Sequence, residues 1–258
     1  MQLQLIRHAT LLLEYASMRL LVDPMLSDAG AMAPIQNSPQ PRNNPLVALP
    51  CSVDEVLDGV QAVLVTHTHR DHWDDAAIQL VPKDLPLFCQ PEDLKKMEDT
   101  HFLNAAAVHD ERHWSKICIT RTHAQHGTGE IGKAMAPASG YVLQAEGEPT
   151  LYIAGDSIWC QEVAEAIKTF KPEIIVVNAG GARFLNGDPI TMTAEDVVHV
   201  CRAAPHAQVA AVHMEAINHC LVTRKELAHA AHNAGVKVKI PADGDVDAVI
   251  ARDRRDRT

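Results

Sequence analysis

Four short apolar runs in this chain each stop on, or just before, a side chain able to hold a metal ion. "LLV" runs into Asp23, "AVLVT" into His67, "LYIAG" into Asp156 and "VAAV" into His213. Sites in open α/β sheets lie at the carboxyl ends of strands, so four such endings are what one shared site looks like in a sequence. Strands often stop at polar residues, so the pattern gains its weight from the chemistry of the residues it ends on.

The second ending carries most of that chemistry. "THTHRDHWDD", residues 66 to 75, sets three histidines and three aspartates in ten positions. His67 and His69 are two apart, so in extended backbone they point the same way and both could grip one ion. Asp71 and His72 follow as the chain turns toward the next helix, where neighbouring side chains diverge and could serve a second ion. Metal pairs about 3.5–4 Å apart clamp the attacking and leaving oxygens of a displacement. Imidazole with carboxylate suits zinc, with manganese, iron or nickel as alternatives. The absence of a cysteine ligand argues against a closed structural zinc site. A plain polar loop with Asp71 or Asp74 as helix N-cap explains one aspartate and none of the histidines.

Further ligands are sought at the other endings. "THAQHG" offers His126, with His123 as the alternative. Asp156 follows "YIAG", and "HMEAINH" offers His213, with His219 as the alternative. His8 and Asp23 are candidate substrate or supporting residues. His101, His109, His113, His199, His206, His229 and His232 read as surface or structural.

Bulk properties narrow the class. At 258 residues and 47% hydrophobic, the chain can bury a real core, and it reads as a single domain over 1–258. The net charge of −10 disfavours a nucleic-acid partner, whose binding depends on Lys and Arg. No apolar run reaches the roughly 18 residues of a membrane span, so no membrane partner is expected. "MQLQLIRHATLLLEY" lacks the cleavage site of a signal peptide, and the six cysteines form no C-x-x-C pair, so reduced thiols in the cytoplasm are expected. A small-molecule substrate follows; a homo-oligomer is left open.

Periodicity assigns strands to 2–6, 11–15, 18–22, 62–65, 86–89, 116–122, 140–146, 150–154, 173–178 and 207–213. It assigns helices to 52–58, 74–81, 91–98, 157–170, 193–204 and 224–235, with Thr193 as an N-cap and Gly235 as a stop. Residues 25–50 hold five prolines among Asn, Gln and Ser and read as a long loop covering the site. The charged tail 251–258 is expected to fray. A strand-rich start followed by strand–helix alternation describes an α/β protein with two sheets between helical layers. "GTGEIG" matches G-x-G-x-x-G, but Pro137 and Gly140 follow soon after, so no helix is expected to open there and a dinucleotide loop is set aside. "AGDSI" lacks the G-x-S-x-G elbow, so Ser157 receives no catalytic role.

The series H-x-H-x-D-H after a buried strand, then a histidine, an aspartate after "YIAG" and a late histidine resembles the metallo-β-lactamase superfamily. The opening "RHATLLLEYASMRLLVDPMLSD" is similar to the ascorbate-6-phosphate lactonase and N-acyl-phosphatidylethanolamine phospholipase D-like branch. The resemblance implies a four-layer αββα sandwich of two mixed β-sheets flanked by helices. It implies His67, His69 and His126 on one divalent ion, Asp71, His72 and His213 on a second, and Asp156 between them. A binuclear hydrolase that attacks an ester, lactone or phosphodiester with a metal-bridging hydroxide is then expected, with Asp71 orienting the hydroxide and handling the proton. Ester or lactone is favoured. Di-iron redox chemistry fits poorly, since that branch replaces the second histidine of the cluster by glutamate where this chain has His69. The alternative from another class is a non-catalytic metal-binding or ligand-sensing protein of the same fold.

Overall fold

The alternation of apolar residues along the strands decides the layers. In the computed structural model, which describes residues 1–246 and the short strand at 249–250, Leu20, Val22 and Leu64 face one way while Leu21, Val63 and Val65 face the other. Successive strand residues point to opposite faces, so strands apolar on both faces must be covered on both. The result is two face-to-face sheets with helices outside each, the αββα sandwich expected. The tail at 251–258 lies outside the described residues.

The first sheet takes the spatial order β13 (Val249–Ile250), β1 (Gln2–Arg7), β2 (Thr10–Tyr15), β3 (Met18–Val22), β4 (Ala62–Val65), β5 (Pro86–Cys89) and β6 (Asn104–Ala107). β1 to β3 are antiparallel, and β3 to β6 are parallel. The second sheet runs β12 (Gln208–Val212), β11 (Ile174–Asn178), β10 (Leu151–Ile153), β9 (Ser139–Gln144), β8 (Ile117–His123) and β7 (Glu111–Trp114). β10 to β12 are parallel, while β8 and β10 both lie antiparallel to β9. Thus β8, β10, β11 and β12 point their carboxyl ends to the same edge, and so do β3 and β4 in the other sheet.

Leu5, Leu13, Leu64 and Phe88 meet Ile119, Tyr141, Val176 and Val212 between the sheets. Outside the first sheet, Val63 and Val65 pack under Val56, Ala77 and Met97 of α1 (Val53–Leu57), α2 (Asp75–Leu80) and α3 (Leu94–Asp99). Outside the second, Tyr152, Ile175 and Val177 pack under Val163, Val197 and Leu227 of α5 (Gln161–Phe170), α6 (Ala194–Ala203) and α7 (Arg224–Ala234). Each such fully buried aliphatic side chain contributes about 1.5–3 kcal/mol, so the layers hold the fold and leave the polar edge free for chemistry. Thr193 caps α6 in a capping box with Asp196, and Gly235, at φ 67°, ends α7.

Three readings change. A helix does open on the glycine-rich stretch: α4 (Gly129–Met135) ends before Pro137. It makes no dinucleotide site, because β8 before it and β9 after it are antiparallel, not the parallel pair of a βαβ unit. The helix expected over 91–98 is a 3-10 turn at Pro91–Asp93 followed by α3, and α5 starts at Gln161 rather than 157. β6 and β7, short and half-exposed, carried no clear period. Residues 25–50 contain no helix or strand, and one antiparallel bridge, Met32 to Asn44, closes their middle.

Candidate metal centre

The carboxyl ends of both sheets meet at one polar cluster. Asp23 follows β3, and Thr66 and His67 follow β4. His126 follows β8, Asp156 follows β10, Asn178 closes β11 and His213 follows β12. His8, Asp23 and His213 sit at positive φ, at 61°, 43° and 69°, a region where Asp and His are among the better-tolerated residues and whose use clusters at functional sites. Gly155, before Asp156, has φ 65°, and a Cβ there would lie 2.4 Å from the Ser139 carbonyl. Only glycine lets the chain deliver Asp156 at this point.

Potential ligand atoms of His67, His69 and His126 all lie within 4.8 Å of one another, as do those of His8, Asp71, His72 and His213, and those of His67, His72 and Asp156. Asp156 lies between the two histidine sets. Its Oδ2 is 3.4 Å from His126 Nε2 and 3.8 Å from His67 Nε2, and its Oδ1 is 3.3 Å from both His72 Nε2 and His213 Nε2. Asp71 Oδ2 is 3.5 Å from His213 Nε2 and 3.2 Å from His8 Nε2. Except for the half-buried His69, these side chains are buried.

The outward nitrogens fix which inward nitrogens are bare. His72 Nδ1 lies 2.8 Å from Asp23 Oδ2 and His126 Nδ1 lies 2.7 Å from the Ile190 carbonyl. Both partners only accept, so each Nδ1 carries the proton and each Nε2 keeps its lone pair. Thr66 Oγ1 donates to Asp23 Oδ2 at 2.7 Å and is 3.1 Å from His67 Nδ1. Its proton is spent on Asp23, so it accepts from His67, whose Nε2 is bare in turn. His213 Nδ1 faces the Cys220 thiol at 3.6 Å. His72 Nε2 and His213 Nε2 then confront one another at 3.2 Å. Such a pair needs a cation or a proton between them.

Electrostatics agree with that donor set. Burial would raise Asp71 and Asp156, but the surrounding imidazoles outweigh it and hold both carboxyls well below their usual range. Burial and neighbouring histidines push His67 down. Burial lowers His8 to about 3, helped by His213. For His72 the order reverses: burial pulls it down, but Asp156, Asp23 and Asp71 together hold it well above the usual value, so these carboxylates draw a positive charge, a proton or a cation, to its Nε2. Two ionised carboxylates among imidazole nitrogens suit borderline divalent cations, so the residues fit a divalent metal.

The structure separates the alternatives the motif left. His126 is buried in the cluster, whereas His123 ends β8 exposed. His213 is in the cluster; His219 is buried beside it, with its Nδ1 unpartnered and its pKa lowered by burial to about 4. Asp23 supports His72 and Thr66, and His8 bonds Asp71. Asp74 caps α2 by accepting from the Ala77 amide at 2.7 Å, leaving Asp71 to the cluster. Sequence reasoning missed Asn178, whose Nδ2 donates to Asp156 Oδ1 at 2.7 Å. The apolar run "EIIVVN" ends on it, so the signal used elsewhere was present there too.

A model of the β-lactamase superfamily domain matches residues 18–214. UPF0173 protein YddR of Bacillus subtilis (strain 168) is 39% identical over 250 residues, covering 95% of this chain and 98% of that protein. The crystal structure of isothiocyanate hydrolase from Delia radicum gut bacteria is similar at TM-score 0.90 and 41% identity, covering 95% of this chain and 98% of the other. That of a possible metal-dependent hydrolase from Veillonella parvula DSM 2008 gives TM-score 0.92 at 32% identity, covering 95% and 97%. The chain belongs to the metallo-β-lactamase superfamily and, within it, to the UPF0173 family of metal-dependent hydrolases. No helix among the described residues is long and apolar enough to cross a membrane.

Proposed function

We propose that this chain is a binuclear hydrolase acting on a small uncharged electrophile, with organic isothiocyanates as its substrate class. The observation that carries the binuclear reading is Asp156, which turns one oxygen to each histidine set. His67, His69 and His126 would hold one divalent ion, zinc first among the candidates, and Asp71, His72 and His213 the other. When bound, the two cations supply acidified water and polarise the substrate's heteroatom.

The remaining chemistry belongs to the chain. Asp71, ionised and within 3.2 Å of His8 Nε2, accepts the proton of the attacking water. His8 is neutral and donates through Nε2, which keeps Asp71 aimed into the site. Water's oxygen bonds to the central carbon of R–N=C=S, and Asp71 returns the proton to nitrogen. The resulting thiocarbamic acid breaks its C–N bond, its remaining acidic proton passes to nitrogen, and R–NH2 and carbonyl sulfide leave. One water is consumed and no oxidant is needed.

Two observations support the isothiocyanate class over a sugar phosphate. The 41%-identical neighbour is an isothiocyanate hydrolase. The cavity of about 310 Å³ beside Asp71 is walled mainly by apolar side chains, and its one cation, Arg70, pairs with Asp75 at 3.0 Å. The likeness of the opening segment to the lactonase and phospholipase D branch supplies the competing substrates. Six free cysteines support a reducing, cytoplasmic setting.

Zinc-reconstituted protein assayed against isothiocyanates, lactones, p-nitrophenyl esters and phosphodiesters tests this. The expected result is amine release matching isothiocyanate consumed, with kcat/KM at least tenfold above any ester or lactone. Lactone turnover without isothiocyanate turnover overturns the substrate class. No turnover in protein carrying two zinc equivalents favours the ligand-sensing alternative.

A further inference from the structure

One buried side chain ties the proline-rich loop to the turn that follows His213. Asn218, fully buried, lies between His213 and Cys220. Its Nδ2 donates to the Gln40 carbonyl and Ser38 Oγ at 2.5 Å each and lies 3.3 Å from the Ile35 carbonyl. Its Oδ1 accepts from the Ile35 amide at 3.0 Å and from Asn44 Nδ2 at 2.8 Å. Its own amide donates to Asn44 Oδ1 at 2.9 Å. Met32 and Asn44 exchange backbone hydrogen bonds at 2.7 and 2.8 Å, so residues 32–44 form a closed loop with Asn218 filling its middle.

That loop has no helix, no strand and few buried apolar side chains of its own, so these bonds hold its shape together with the Leu185 amide, which donates to the Asn37 carbonyl at 2.6 Å, and the packing of Met32 and Ile35. The shape matters because Met32, Pro34 and Ile35 of the loop, with Ile217 next to Asn218, wall the cavity that opens on Asp71. Asn44 also lines the cavity, but both its side-chain polar atoms are spent on Asn218. Gln36, whose Nε2 donates to the Pro34 carbonyl at 3.2 Å, is the other polar loop residue at the cavity, so the wall offers a substrate mainly apolar contact.

We propose that Asn218 is the positioning residue that sets substrate selectivity: it fastens residues 32–44 into the wall of an apolar cavity that receives the organic group of the substrate while the reactive carbon faces Asp71. This rests on the proposed hydrolase reading of the site. Without the fastening, the wall loosens, and larger organic groups lose more contact than small ones.

The test uses the zinc-loaded full chain, with Asn218→Ala and, approaching the same bonds from the other side, Ser38→Ala, whose hydroxyl meets Asn218 Nδ2 and lies off the cavity wall. Methyl, butyl and phenethyl isothiocyanate report selectivity, zinc content reports the metal site, and trypsin cleavage after the exposed Arg42 reports the loop without any turnover. In both variants zinc content is expected to match the parent. The KM for phenethyl isothiocyanate is expected to rise at least tenfold while kcat for methyl isothiocyanate falls less than threefold, and cleavage after Arg42 to accelerate at least tenfold. An unchanged methyl-to-phenethyl ratio together with an unchanged cleavage rate overturns the proposal. A loosened loop with unchanged selectivity also overturns it. If the parent turns over no isothiocyanate, the functional reading fails separately, and the cleavage rate still decides whether Asn218 fastens the loop.

Discussion

Replacing Asp23 by asparagine exchanges one carboxylate oxygen for an amide group at a position that touches no reacting atom. Asp23 accepts three hydrogen bonds, from the Thr66 amide and Thr66 Oγ1 at 2.7 Å each and from His72 Nδ1 at 2.8 Å. Oγ1 and Nδ1 both point at Oδ2, and the amide points at Oδ1. An asparagine oxygen can replace only one of the two. With its NH2 at Oδ1, it confronts the Thr66 amide, and one buried donor loses its acceptor at about 1–3 kcal/mol. With its NH2 at Oδ2, it forces the His72 proton onto Nε2, the nitrogen that faces Asp71, Asp156 and His213. Either way the support that keeps His72 Nε2 bare is weakened. Loss of such an outer partner lowers metal affinity about 10–100-fold, equal to about 1.4–2.8 kcal/mol at 1.4 kcal/mol per tenfold. Zinc titration against a chromophoric chelator, with denaturation in chelator alongside, separates the two effects. The expected outcome is a 10–100-fold weaker zinc affinity and a stability loss of about 1–3 kcal/mol, with activity recovered at excess zinc. Zinc affinity within twofold of the parent, alongside the stability loss, refutes the link between the His72 tautomer and metal binding.

Further outcomes follow from the same site. Dialysis against a strong chelator is expected to abolish hydrolysis, with zinc restoring it; zinc held at about 100 times its Kd raises stability by roughly 2.7 kcal/mol, visible as a higher Tm. His126→Ala is expected to lose at least one zinc equivalent by elemental analysis, whereas His123→Ala, changed at an exposed position, stays within twofold of the parent in metal content and kcat/KM. Gly155→Ala adds a Cβ 2.4 Å from the Ser139 carbonyl at φ 65°, so denaturant unfolding is expected to show a loss of more than 1 kcal/mol.

The layers were legible in the sequence because short unbroken apolar runs such as "IIVV" and "AVLV", rich in β-branched side chains, mark strands buried on both faces. The apolar endings pointed to Asp23, His67, Asp156 and His213 because parallel strands deliver their carboxyl ends to one edge. What stayed hidden depends on tertiary partners. Whether His123 or His126 turns inward is decided by the loop after β8, whose Gln125 amide donates to Ser157 Oγ at 3.0 Å. The grip of Asn218 on residues 35–44 joins positions about 180 apart in the chain, and no local period records it. The helix at α4 was missed because Pro137 and Gly140 were read as breakers of a segment that ends just before them.

The proposal stands on Asp156, whose two oxygens face the two histidine sets and would serve two divalent cations. Anomalous diffraction at the zinc edge, from crystals of the zinc-loaded protein, tests it most directly. The account predicts two peaks about 3.5–4 Å apart, one against His67, His69 and His126 and the other against Asp71, His72 and His213. A single peak, or peaks only on residues outside this cluster, contradicts it.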